Sequence, residues 1–206
     1  MNYLTAILVQ LNFHKPMDTV SVEKVIVTTH QQYNSTDVLS PTTVASSPLD
    51  QFRIWFSEVS KNDIVKEPEV MTLSTSTPSG IPSARVVLFK QLDSRGFIFF
   101  TNYTSRKSQE ILSNPRAALV FYWREVSRSV RVLGRVEKVS NEESEEYFHS
   151  RPVGSQLGAW ASRQSTVVGD GEVRERLEKV KKRFDGSEDT LVPLPEFWGG
   201  WRVVPE

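Results

Sequence analysis

The sequence predicts an all-β domain with peripheral helices, its strands antiparallel and arranged as a sandwich or barrel. Three observations lead there. After one amphipathic helical stretch, the apolar period changes to short runs rich in Val, Phe and Leu. Turn residues stand between neighbouring runs, as in Pro78-Ser79-Gly80 and Asp93-Ser94-Arg95-Gly96. Strands this closely spaced bury their apolar faces by packing on one another.

The elements follow in order. Residues 1–46 read as an irregular or mobile N-terminal arm, because Tyr33–Pro41 and Thr42–Ser47 are dominated by Asn, Ser and Thr. Order begins at Ser47, and 47–206 reads as one domain. Ser47-Pro48-Leu49-Asp50 supplies an N-cap, a Pro at the first helical position and an early acid. Phe52, Trp55, Phe56 and Val59 then recur at helical spacing to about Ser60. Strands are expected at Val70–Thr75, Ser83–Gln91, Phe97–Asn102, Ala117–Trp123 and Arg128–Val139, the first three as an antiparallel meander. Helices are expected at Ser105–Leu112, before the Asn114-Pro115 stop, and from the capping box Ser140-Asn141-Glu142-Glu143 to Arg151. A third covers Glu172–Phe184, acidic early and basic late as the helix dipole favours. Trp198–Val204 is a candidate last strand.

Composition narrows the function. The chain has 206 residues, 38% apolar, with five Trp and eleven Phe for a core. Lys plus Arg equals Asp plus Glu, 25 each, so there is no basic excess for general nucleic-acid binding and any anion site must be local. Cysteine is absent, which excludes disulfides and thiolate chemistry. His14, His30 and His149 have no neighbours at ligand spacing, so no metal site is expected. No apolar run approaches the roughly 20 residues that span a bilayer. Residues 1–52 contain no Arg and carry the acids Asp18, Glu23 and Asp37, unlike a transit peptide. A cytoplasmic protein is expected.

Four segments carry candidate chemistry. Thr104-Ser105-Arg106-Lys107-Ser108 opens a helix with hydroxyls and two cations, a pattern that suits a phosphate, although taken alone it more often marks an ordinary capped, solvated helix start. Arg85-Val86-Val87-Leu88-Phe89-Lys90 brackets an apolar strand with two cations, which strand parity sends to opposite faces. In Tyr147–Ser155, Tyr147 and Arg151 share a helix face and Ser155 follows a Pro-Gly turn, while His149 reads as a surface residue. In Gly158–Ser165, small residues allow close packing and Gln164 and Ser165 offer neutral hydrogen bonds. No nucleophile motif stands in a known register, so no catalytic residue is assigned.

Taken together, "SARVVLFK", "FFTNYTSRK", "YFHSRPVGSQLGAWASRQS" and "FWGGWRVVP" resemble, in order and spacing, the pyridoxamine 5′-phosphate oxidase family over about Pro48–Pro205. The resemblance implies an FMN-binding split barrel, a homodimer with FMN at its interface, and oxidation of pyridoxamine or pyridoxine 5′-phosphate to pyridoxal 5′-phosphate by oxygen. Carried over, it places Arg85, Arg106 and Lys107 at the FMN phosphate. The backbone of Val86, Val87, Leu88 and Phe89, with Phe100 and Thr101, lies along the flavin, and Gln164 and Ser165 complete that site. Lys90, Tyr147, Arg151 and Ser155 hold the substrate phosphate, with Lys90 also bordering the cofactor.

Two departures accompany the resemblance. Ser129 stands where the family usually has a flavin-contacting Gln. The family pattern continues past the Trp-Gly-Gly strand into a segment that supplies a Trp and an Arg to FMN and an Arg and a His to substrate. These four are not in this sequence, so a C-terminally shortened member is expected. Gln31, Gln32 and Tyr33 are the nearest arm residues to a substrate cover. Two other readings stand beside the oxidase: a relative that binds FMN or pyridoxal phosphate with impaired turnover, and another split-barrel flavoprotein such as a flavin reductase. The Tyr147–Arg151–Ser155 group argues against the reductase.

Overall fold

The computed structural model describes residues 24, 26–29, 39–61, 64–184 and 191–206. Most of the expected arm, including Gln31, Gln32 and Tyr33, lies outside the described residues. Every described helix and strand lies within Asn34–Glu206.

Helix α1 (Pro48–Lys61) starts where its cap predicts, with the Asp50 amide donating to Ser47 Oγ at 3.1 Å. Strands β1 (Val70–Ser76), β2 (Pro82–Leu88), β3 (Gln91–Leu92) and β4 (Phe97–Asn102) lead to helix α2 (Arg106–Ser113). Strands β5 (Arg116–Trp123) and β6 (Arg128–Lys138) are followed by α3 (Asn141–His149), α4 (Val153–Ala161), α5 (Glu172–Phe184) and β7 (Trp198–Pro205). All seven strands form one antiparallel sheet in the order β2-β1-β5-β6-β7-β4-β3.

That order forces the sheet to curl. Its two edge strands, β2 and β3, are consecutive in the chain, separated by Phe89 and Lys90. A flat seven-stranded sheet is about 29 Å across at about 4.8 Å per strand. Three Cα steps from Leu88 to Gln91 reach at most about 11 Å. The sheet therefore bends round until its edges meet, giving a split barrel.

The same two residues correct the expected meander. The strand read as Ser83–Gln91 breaks at Phe89, whose amide donates to Glu69 O on the β1 side, while the Lys90 amide donates to Ile98 O on β4, each at 2.9 Å. β4 consequently pairs with β3 and β7, not with β2. Continuous apolar character hid this change of partner.

Two helices also differ from expectation. The Ser140–Glu143 capping box is formed, but α3 ends at His149, two residues before Arg151. Val153–Ala161 is a helix that the small residues and Gly158 concealed. His149 is not a free surface group: it is half-buried, with Nε2 3.0 Å from Val192 O, and so ties α3 to the segment before β7.

The core is aromatic. Phe52 of α1 packs against Phe56, Phe89, Phe97, Phe121 and Trp123, with centroids 4.8–5.8 Å apart. Trp123, buried to 1% exposure, donates Nε1 to Pro68 O at 3.0 Å, so its one polar atom is satisfied. A second cluster, around Phe148, Leu157, Val192 and Trp198, fixes α3, α4 and α5 beside the barrel. Buried Arg202 on β7 ties the β3–β4 turn to α3, donating to Asp93 Oδ2 at 2.8 Å and Glu143 Oε1 at 3.0 Å.

Candidate functional site

The first cluster gathers at the start of α2. Ser105 is the N-cap residue by position, yet its buried hydroxyl donates to Asn102 O at 2.7 Å instead of capping the helix. The free Arg106 amide donates to Ser165 Oγ at 3.1 Å, from 59 residues further along the chain. Ser165 reaches that place from a left-handed backbone conformation, φ 65°. Lys107 Nζ donates to Gln164 Oε1 at 2.9 Å and lies 3.3 Å from Thr101 Oγ1, which itself donates to Gln164 Oε1 at 3.0 Å. Burial, and then the nearby charge of Arg85, hold the Lys107 pKa down at about 8.

Arg85 closes this cluster from β2. Its Nη1 donates to Thr75 Oγ1 at 2.6 Å and Leu73 O at 3.1 Å, and its Nη2 to Ser83 Oγ at 2.5 Å. Burial lowers the Arg85 pKa, opposed by Glu110, whose Oε2 lies 3.4 Å from Nη2. Arg106, about half exposed, donates Nε to Glu110 Oε1 at 2.9 Å. Burial would raise the Glu110 pKa; hydrogen bonds from Ser83, Thr75 and Arg106, with the charge of Arg85, outweigh it and bring the value to about 2.

The second cluster lies on α3 and α4. Tyr147 stacks on Phe100 of β4, and both are nearly parallel to Trp198 of β7, at 4–15° between planes. The Arg151 guanidinium lies 4.9 Å from the Trp198 ring centroid and donates Nη2 to Ser155 O at 2.8 Å. Its Nη1 is buried without a hydrogen-bond partner among the described residues. Burial raises the Tyr147 pKa and lowers that of Arg151, each moderated by the other group. An orphaned guanidinium nitrogen beside Ser155 is a ready donor for an anionic oxygen.

β4 joins the clusters: Thr101 meets Lys107 and Gln164, while adjacent Phe100 meets Tyr147. The structure therefore gathers Arg85, Thr101, Arg106, Lys107, Gln164 and Ser165 in one group and Phe100, Tyr147, Arg151 and Ser155 in another. Other expected site residues stand apart from these contacts. Val86 and Leu88 face outward, 66% and 42% exposed, while Val87 and Phe89 pack into the core. Lys90 is half-buried at the strand switch. Ser129 is exposed on β6, opposite Tyr122. Sequence reasoning missed Thr75, Ser83 and Glu110. The signal for Glu110 was present as a carboxylate one helical turn after Arg106.

Both clusters fit phosphorylated ligands. The α2 start offers Arg106 terminal nitrogens without a partner among the described residues, next to Lys107 and a helix N-terminus. These features suit a phosphate group, and the unmatched Arg151 Nη1 suits a second anion.

The fold defines a split-barrel protein, with one cluster around Arg85, Arg106 and Lys107 and another around Arg151. PhzG from Burkholderia lata 383, solved in complex with tetrahydrophenazine-1-carboxylic acid, is similar at TM-score 0.75 and 29% identity, over 83% of each chain. Residues 40–180 match the family described as "Pyridoxamine 5'-phosphate oxidase". The pyridoxine/pyridoxamine 5′-phosphate oxidase of Trichormus variabilis is 50% identical over 170 residues, 82% of this chain and 78% of that protein. The probable pyridoxamine 5′-phosphate oxidase of Schizosaccharomyces pombe is 44% identical over 91% of this chain and 83% of its own length. The chain belongs to the pyridoxamine 5′-phosphate oxidase family.

Proposed function

We propose that the protein is an FMN-dependent oxidase of pyridoxamine 5′-phosphate or pyridoxine 5′-phosphate, with oxygen as acceptor. Pyridoxine 5′-phosphate and oxygen give pyridoxal 5′-phosphate and hydrogen peroxide; the amine substrate also takes up water and releases ammonia. The observation that carries this reading is the pairing, across β4, of the Arg85–Arg106–Lys107 cluster with the Arg151 cluster in a chain of this family. FMN, when bound, supplies the hydride acceptor. Arg85, Arg106 and Lys107, with Thr101, Gln164 and Ser165, hold its phosphate. Arg151, Tyr147, Ser155 and Lys90 hold the substrate phosphate, and Phe100 and Tyr147 set the distance between the groups. Fixing two ligands in this way supports catalysis by orientation.

The reading includes a homodimer with the site at the interface. It is supported by the outer sheet face, where Val86, Leu88, Tyr122 and Leu133 are 42–66% exposed within one chain. A flavin reductase has no use for the second cluster.

The test is to load the purified protein with FMN and follow pyridoxal 5′-phosphate and hydrogen peroxide with each substrate. One-to-one formation of both products supports the reading. FMN binding with no substrate-dependent peroxide would leave a binding protein instead.

A further inference from the structure

Resting on that cofactor reading, we infer that Glu110 is a positioning residue for the phosphate grip: it aligns Arg85 and Arg106 toward one phosphate and thereby sets the preference for FMN over unphosphorylated flavin.

Glu110 occupies the buried face of α2, its side chain only 5% exposed. Oε1 receives Arg106 Nε at 2.9 Å, while Oε2 receives the hydroxyls of Thr75 and Ser83, each at 2.5 Å. An ionised carboxylate only accepts hydrogen bonds. Both hydroxyls must therefore direct their hydrogens to Glu110 and their lone pairs elsewhere. Those lone pairs meet Arg85: Nη1 donates to Thr75 Oγ1 and Nη2 to Ser83 Oγ. One carboxylate thus fixes the Arg85 plane through two hydroxyls and the Arg106 plane directly. A guanidinium binds phosphate well when its planar fork is already oriented, and a fixed fork loses little freedom on binding.

The charges agree with this role. Arg85, Arg106 and Lys107 converge from β2 and α2, and Arg85 already depresses the Lys107 pKa. With Glu110 the cluster carries two net positive charges when Lys107 is protonated. A phosphate monoester carries about −1.5 to −2 at neutral pH. Without Glu110, three cations would face one another, Arg106 would lose its side-chain partner, and the Thr75 and Ser83 hydroxyls beside Arg85 would be free to turn.

The experiment compares FMN and riboflavin affinities of the apo-protein with those of the Glu110→Ala and Glu110→Gln variants, alongside thermal unfolding of each. Riboflavin has the flavin ring and ribityl chain but no phosphate. The Ala variant should lose FMN affinity by about tenfold or more, while riboflavin affinity changes less than about twofold. The Gln variant keeps the volume and one acceptor and should fall between wild type and Ala. If the Ala variant does not fold, the Gln variant decides. Equal losses for both flavins would make Glu110 merely structural, and unchanged FMN affinity in a folded Gln variant would remove it from the grip. A wild type that binds both flavins equally would overturn the cofactor reading itself.

Discussion

Phe100 and Tyr147 lie face to face, with ring centroids 3.9 Å apart and planes 15° from parallel. One residue along β4, Thr101 is 4% exposed and bonded to Gln164. Alternation along a strand sends neighbouring side chains to opposite faces. A single strand therefore serves both clusters, and the separation between them is set by backbone geometry, not by flexible loops.

The second cluster is separable from the first on this geometry. Replacing Arg151 with Ala should raise KM for the phosphorylated substrate about 10- to 100-fold, the range of one or two charge-assisted bonds. FMN affinity should remain within about twofold, because no Arg151 contact reaches the α2 start. Steady-state kinetics and flavin fluorescence titration measure the two effects. Parallel losses would mean that the clusters serve one ligand.

Lys107 gives the proposed FMN site a pH dependence. Burial and Arg85 lower its pKa from 10.5 to about 8, so the ammonium loses its proton as pH rises through that value. A phosphate favours the charged form, and FMN affinity should fall above about pH 8. Riboflavin affinity should stay flat. Lys107→Arg keeps the charge at all these pH values and should flatten the FMN profile as well. An FMN profile without a break between pH 7 and 10 would place the phosphate away from Lys107.

Much of this arrangement was legible in the sequence because it depends on local rules. Ser47 and the Ser140–Glu143 box announce their helices through caps that act within four residues. The cations at 85, 106 and 107 stand in fixed register with strand and helix ends. What the sequence concealed depends on distant partners. Ser165 rather than Ser105 receives the first amide of α2, and Thr75 and Ser83 meet Glu110 from two strands, β1 and β2. The break at Phe89-Lys90 is invisible at the end of an apolar run, since it depends on the two amides turning to Glu69 and Ile98, which lie outside that run.

Two glycines predict opposite effects on stability. A Cβ at Gly134 of β6 would sit 2.1 Å from the Val204 carbonyl oxygen. That neighbour is backbone within the paired β6–β7 register, so Gly134→Ala should cost about 1–3 kcal/mol. A Cβ at Gly158 in α4 meets nothing within 4 Å, and Gly158→Ala should stabilise by about 0.5–1 kcal/mol through helix propensity. Urea unfolding of the apo-protein measures both. A neutral Gly134→Ala variant would show that β7 can shift at this point.

Glu110 links acid stability to the proposed phosphate grip. Its pKa falls from 4.5 to about 2 on folding, so the folded state holds the ionised form more strongly than the unfolded chain does. The stabilisation is complete above about pH 4.5 and is lost as pH falls through about 2. At about 1.4 kcal/mol per pKa unit, its size is about 3 kcal/mol. The stability difference between wild type and Glu110→Gln should shrink by that order between pH 6 and pH 2. A constant difference across this range would show that the carboxylate is not ionised in the native network.

The outer face of the sheet supplies the last prediction. The register aligns Val86 of β2 with Thr72 of β1, Val120 of β5 and Arg131 of β6, and Ala84 with Ser74, Ala118 and Leu133. Much of this surface is apolar, yet Val86 is 66% exposed and Leu133 51%. A second copy covering it would remove apolar area from water at about 25 cal/mol per Å². It would also cover β2, an edge strand that is otherwise open to unwanted pairing. Val86→Asp should leave the fold intact, because the side chain touches little within its own chain, but should shift the protein to monomers in sedimentation equilibrium. FMN affinity should fall with it, since the proposed site lies at the interface. Val167→Asp, at a fully exposed position, serves as the control and should stay dimeric. A Val86→Asp protein that remains a dimer and binds FMN normally would move the interface to another face.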